Sequence, residues 1–301
     1  MIVNKQNLNG VFNGFKAAFN KGIESAESHY KDIAMIVPSN TKEETYGWLG
    51  QFPRLREWAG DRVIRNLAAH GYSVKNKLFE DTIGVKRTDI EDDQYGVLTP
   101  ILTEMGRAAA EHPDELVFTA LKNGLNTLCF DGQYFFDADH PVKDQSVSNV
   151  DSSGTVDGNP YWYLLDTTKA IKPFLFQERV PYKLHALTKD EDENVFMRDE
   201  YLYGVRARSN VGYGLWQLAY ASNAVLTADN YAKAREAMQS LKGEEGRPLG
   251  IKPNVLIVPP SLETSALELI AAGFIPDQTA SATKTNIWKD TVKVIVSPWL
   301  V

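Results

Sequence analysis

TPILTEMGRAAAEHPDELVFTALKNG, residues 99–124, is the stretch on which the reading of this chain turns. Thr99 ahead of Pro100 makes a helix start, a cap residue followed by proline at the first helical position. Ile101, Leu102, Met105, Ala108 and Ala109 then recur at helical spacing, and Leu116, Val117, Ala120 and Leu121 carry the same apolar face to Asn123 and Gly124, which end it. Pro113 is expected to kink or restart the helix. The acidic run Glu91, Asp92 and Asp93 lies just ahead, where a helix dipole favours negative charge. This is the longest helical stretch in the chain, and the rest of the fold has to be arranged on it.

Towards the N-terminus, Leu8, Val11, Phe12, Phe15, Ala18, Phe19 and Ile23 form one stripe of an amphipathic helix, with Asn7 as its cap. Gly10 and Gly14 interrupt it at about 1 kcal/mol each, so the segment reads as an arm that holds its shape when its phenylalanines are docked. Its own subunit's core and a neighbour's surface would both serve. Residues 46–60 (YGWLGQFPRLREWAG) place Trp48 and Trp58 among glycines, a turn-rich patch tied down by its aromatics. Beyond it, residues 61–66, 72–78 and 82–87 read as short β segments too polar to build a core of their own, with 67–71 (LAAHG) as a turn.

Towards the C-terminus, residues 131–159 are rich in Gly, Ser, Asp and Pro and mark a long loop region. Strands are expected at 174–176, 182–188, 195–197 and 201–208, with KDEDEN (189–194) as a charged hairpin tip. The last third alternates helix at 228–241 (cap near Thr227), strand at 254–258, helix at 261–272 and strand at 291–296, an α/β layer pattern.

Composition fits this picture. The 301 residues are 43% apolar and 24% charged with a net charge of −7, a globular composition with 13 Phe, 13 Tyr and 6 Trp to fill a core. Cys129 is a single cysteine in an apolar stretch with no basic neighbour in sequence, so it reads as a buried, inert thiol. MIVNKQNLNG, residues 1–10, lacks the pattern of a secretory signal. No aliphatic run approaches the ~20 residues that span a bilayer. The mild acidity argues against a dedicated reader of nucleic acid.

Catalytic chemistry finds little purchase. His29, His70, His112, His140 and His185 are scattered, without the spacing of zinc ligands. Asp137, Asp139, His140 and Asp144 cluster, but with Pro141 in their midst and no calcium-loop glycine they read as an aspartate-held turn. SLKGEEGRPLG (240–250) lacks the Lys-Ser/Thr of a phosphate loop. The two Ser-x-x-Lys matches, at Ser39 and Ser281, lack partner motifs. No catalytic, cofactor-binding or metal-ligating residue is assigned. A large chain with aromatic arms and no catalytic constellation points to a protein that makes interfaces.

Four segments, FPRLREWAGDR (52–62), KLFEDTIGVKRTDIEDDQYG (77–96), FDGQYFFDADHPV (130–142) and GRPLGIKPNVLIVPPSLETSALELI (246–270), resemble in order those of the major head subunits of Mu-like phages and prophages. That family is similar to the Hong Kong 97-type capsid proteins. The resemblance implies an α+β fold with an N-terminal arm at 1–45, an aromatic patch and extended loop at 46–96, a peripheral domain with a long spine helix at 97–211, an axial domain at 212–287 and a closing strand at 288–301. It implies a subunit that assembles as hexamers and pentamers into an icosahedral shell around double-stranded DNA, made in the bacterial host cytoplasm and resident in the virion. Partners would be further copies, a separate scaffolding protein, a portal, and decoration or head-completion proteins, with sparse non-specific DNA contact, no membrane and no cofactor. The residues expected to be buried by neighbouring subunits are Phe12, Phe15, Phe19, Trp48, Trp58, Leu67, His70 and Tyr72. The competing functions are a tail-tube component, which would be mostly β and so fits poorly with the long helix, a head-completion protein, and a serine hydrolase acting through one of the Ser-x-x-Lys sites.

Overall fold

The structure is a computed structural model, described for residues 4–49, 71–92, 94–154, 158–243, 245–276 and 283–301. The chain opens with helix α1 (Lys5–Ser25), a short α2 (Tyr30–Ile33) and strands β1 (Ala34–Pro38), β2 (Glu43–Thr45), β3 (Ser73–Lys75) and β4 (Lys77–Lys86). Helix α3 (Arg87–Glu91) and a 3-10 turn lead into α4 (Thr99–Asn123), and the loop region that follows carries the short strands β5 (His140–Val142), β6 (Gln145–Val147) and β7 (Val150–Asp151). Then come β8 (Trp162–Leu165), the long pair β9 (Phe174–Leu187) and β10 (Glu200–Tyr213) with α5 (Glu193–Arg198) at their tip, and β11 (Ala219–Ser222). The chain ends with α6 (Ala228–Gln239), β12 (Val255–Val258), α7 (Glu263–Ile270), β13 (Phe274–Pro276), β14 (Thr283–Thr285) and β15 (Lys293–Val296).

Two sheets organise these elements. The first has the order β1-β9-β10-β4, with β1 parallel to β9 and the other pairs antiparallel. The second has the order β15-β12-β8-β11-β7. Its inner strands β8 (WYLL) and β12 (VLIV) are buried at every position, as strands covered on both faces must be. Tyr163, Leu165 and Ile257 face one core with Val117, Phe118 and Leu121 of α4, whereas Trp162, Leu164 and Leu256 face another with Tyr231 and Met238 of α6 and Leu269 of α7. A third core lies between α1, the first half of α4 and one face of the first sheet. No helix among the described residues is long and apolar enough to cross a membrane.

Helix α4 keeps its expected span with local differences. Leu98, not Thr99, occupies the cap position, and Pro113 sits buried inside a helix that continues past it. Glu91 closes α3, where it pairs with Arg87 (Nε to Oε1 3.3 Å), so it belongs to that short helix rather than to the entrance of α4. Asn4, not Asn7, caps α1, its side chain accepting the Asn7 N–H at 2.8 Å. Thr227 caps α6 as expected, accepting the Asn230 N–H at 3.2 Å. Residues 195–197, expected as a strand, lie in α5: apolar Val195 turns inward while Phe196 and Met197 are 82% and 70% exposed, a helical pattern too short to register in the sequence.

Candidate assembly interface

The eight residues expected to meet neighbouring subunits fall into three groups. Phe15 and Phe19 are 2% and 1% exposed in the single chain. The Phe15 ring meets Tyr203 of β10 edge-on at 4.9 Å, so the expectation that a neighbour covers these two is corrected: their own sheet and α4 do. Sequence carries the stripe but not which surface receives it, because both surfaces would be apolar. Phe12 is half-buried beside Tyr203, and Trp48 and Tyr72 are half-buried at the junction of the two sheets. Trp58, Leu67 and His70 lie outside the described residues.

The arm is seated by a close helix crossing. A Cβ on Gly106 of α4 would stand 2.0 Å from the Phe19 carbonyl oxygen, and one on Gly22 of α1 would stand 1.9 Å from that of Thr103. Glycine at both positions lets the two backbones touch, which brings the phenylalanine stripe down onto the sheet. Past the crossing, Asp114 of α4 reaches across to the chain between α1 and α2. Its buried carboxylate accepts hydrogen bonds from Ser28 Oγ (2.8 Å) and from the backbone N–H groups of His29 (2.9 Å) and Tyr30 (2.7 Å), satisfying donors at the start of α2 that have no partner within the helix.

The described part of the aromatic patch, residues 46–49, is anchored on β9. Tyr46 and Leu49 are buried, the Tyr46 hydroxyl donates to Gln177 Oε1 of β9 at 2.7 Å, and Trp48 packs edge-on against Tyr46. Burial pushes the Tyr46 hydroxyl up to about 12, so it stays a donor at neutral pH. The Tyr72 hydroxyl accepts the Tyr213 N–H at 2.7 Å, fixing where the chain re-enters the first sheet.

Ser39 donates to Glu44 Oε1 at 2.9 Å and accepts from Asn76 Nδ2 at 2.8 Å, closing a loop rather than serving as a nucleophile; Ser281 lies outside the described residues. Burial pushes the Cys129 thiol far above its usual value, in keeping with an inert cysteine. Of the acidic cluster at 137–144, His140 alone turns fully inward, where it meets Cys129 and Asp131, two residues that sequence spacing does not join to it.

The family model for the Mu-like prophage major head subunit gpT matches residues 8–300 of this chain. The chain belongs to that family. The major capsid protein of Escherichia phage Mu is 43% identical over the full length of both chains. The Mu-like prophage FluMu major head subunit of Haemophilus influenzae is 47% identical, covering 87% of this chain and 88% of its own. Among solved structures, a subunit from the procapsid of bacteriophage JBD30 superposes with a TM-score of 0.86 at 46% identity, covering 99% of this chain and all of that one. The α+β architecture expected from the resemblance is thus a phage-head fold, and the role of this head-subunit family is structural rather than enzymatic.

Proposed function

We propose that this chain is the shell-forming subunit of a phage head, assembling as hexamers and pentamers into an icosahedral shell around double-stranded DNA and residing in the virion. The observation that carries this reading is the end-to-end match to a procapsid subunit in sequence and fold. In this reading residues 1–45 form the arm, 46–96 the patch and extended loop, 97–211 the peripheral domain, 212–287 the axial domain and 288–301 the closing strand. Phe12, Trp48 and Tyr72, half-buried in the single chain, are the proposed contact residues of that set with surface left to offer, and Trp58, Leu67 and His70 complete the proposal. Phe15 and Phe19 act behind them, by holding α1 in place.

Many modest, repeated contacts give a closed assembly while each step stays correctable. Assembly in the host cytoplasm would draw on a separate scaffolding protein, a portal, and decoration or head-completion proteins. A net charge of −7 suits a container whose contacts with DNA are sparse and salt-sensitive. Co-expression with the scaffolding protein of the same phage, followed by electron microscopy, should give shells or free hexamers and pentamers. A strict monomer with scaffold present would overturn the reading.

A further inference from the structure

The chain leaving α4 has little regular structure: between Gly124 and Asn149 it holds the short strands β5 and β6 and one isolated bridge, Leu128 to Tyr134. What fixes it is a buried polar cluster. His140 is 0% exposed, with Nδ1 at 2.8 Å from Asp131 Oδ2 and Nε2 at 3.2 Å from Asn149 Oδ1.

The orientation of Asn149 decides the state of Nε2. Asn149 Nδ2 reaches two carbonyl oxygens, those of Phe135 (2.9 Å) and Trp216 (3.3 Å), and Oδ1 accepts the Asp137 N–H at 2.9 Å. The amide therefore turns its oxygen to His140, and an oxygen facing Nε2 requires a hydrogen there. On the other side, Asp131 Oδ1 accepts the Cys129 S–H at 3.0 Å and the Gln133 N–H at 3.1 Å. Burial pushes the Asp131 carboxyl up, but the hydrogen bonds from His140, Cys129 and Gln133 more than offset it and hold it below the usual carboxylate range. An ionised carboxylate facing Nδ1 requires a hydrogen on that nitrogen as well.

We infer that His140 is held as an imidazolium, paired with Asp131 in the protein interior and stacked on Trp216, and that this charge pair fastens the 125–149 loop to the approach of β11. The indole lies parallel to the imidazole ring, 8° between planes and 3.9 Å between centroids, where an aromatic face attracts a cation. Trp216 stands three residues before β11, so the loop is pinned to the second sheet. Of the titratable groups near the ring, Cys129 is a neutral donor, and exposed Asp139 is pushed up by its hydrogen bond with Asp137, so the paired charge is that of Asp131.

Cysteine, aspartate and histidine are also zinc ligands, and their donor atoms here lie within 4.8 Å of one another. Donor atoms about 2.0–2.3 Å from a tetrahedral zinc stand roughly 3.3–3.5 Å apart. The N to O and S to O separations of 2.8 and 3.0 Å are those of hydrogen bonds, which fits a proton and not a metal.

Long-range 1H–15N spectra of the full chain labelled at histidine, at pH 7, test this. His140 should show hydrogens on both ring nitrogens, its signals assigned by their loss in His140→Gln or, should that variant fail to fold, by the altered ring-current shift in Trp216→Phe. Asp131→Asn should lower Tm on the order of 10 °C, since it strands a buried charge, and the double variant Asp131→Asn/His140→Gln should lose less than the two single losses together. A neutral His140 tautomer, additive losses, or one equivalent of bound zinc whose chelation shifts the His140 signals would each overturn the inference.

Discussion

Asp114 shows how one side chain sets the path of an arm. It lies in α4 yet satisfies a hydroxyl and two backbone donors more than 80 residues away in sequence. A buried donor left unmade costs roughly 1–3 kcal/mol, and hydrogen bonds to a charged group are worth about 1.5–3 kcal/mol each. Asp114→Ala should therefore destabilise the subunit by about 3 kcal/mol in urea denaturation, and Asp114→Asn, which keeps one acceptor oxygen, by less. Equal losses in the two variants would mean that the carboxylate fills space rather than accepts. Nothing in the local sequence marks this residue: an aspartate after Pro113 reads as a helix surface, and its partners become neighbours only through the fold.

At the scale of elements, the α1–α4 crossing separates two kinds of glycine that look alike in sequence. Gly10 and Gly14 have open space where a Cβ would go, whereas Gly22 and Gly106 have the opposing helix backbone there. Gly10→Ala should raise stability by about 0.5–1 kcal/mol through helix propensity. Gly106→Ala should cost about 2 kcal/mol or more, because the helices must part to admit one methyl group. Thermal unfolding of the two variants checks both signs, and a neutral Gly106→Ala would show that the crossing has slack. The stripe of α1, the span of α4 and the α/β alternation of the last third were legible because periodicity records burial. The glycine crossing and the inward turn of His140 were not, because each depends on a surface brought from a distant part of the chain. Short α5 leaves no such record for the opposite reason, as six residues hold too few turns for a helical period to show.

At the scale of the whole subunit, β9 joins all three cores. Phe174 and Phe176 belong to the first, Leu175 on the opposite face to the second, and Leu184 further along to the third. No core can lose order without loosening a strand that the other two share. Denaturant unfolding of the unassembled chain should therefore give coincident curves by tryptophan fluorescence, to which Trp216 and Trp162 of the first two cores contribute, and by far-UV circular dichroism, to which α1 at the third core and α4 between the first and third contribute. Two separated transitions would show that the cores unfold independently. The aromatic content that composition alone assigned to a generous core is largely housed there, and less of it awaits neighbouring subunits than the arm and patch suggest.

The register of the first sheet also sets a timetable for synthesis. Lys77 of β4 pairs with Ser209 and Ala34 of β1 with Phe174, so each strand waits for a partner made roughly 130–140 residues later, about 7–28 s at bacterial elongation rates. Throughout that interval β4 leaves the ribosome with unpaired backbone along both edges, a template for pairing with another nascent chain. The polar run Glu80-Asp81-Thr82 at its centre and the lysines Lys77 and Lys86 at its ends keep such pairing weak, so the polarity that denies this ribbon a core of its own also guards neighbouring nascent chains on one polysome against pairing with each other.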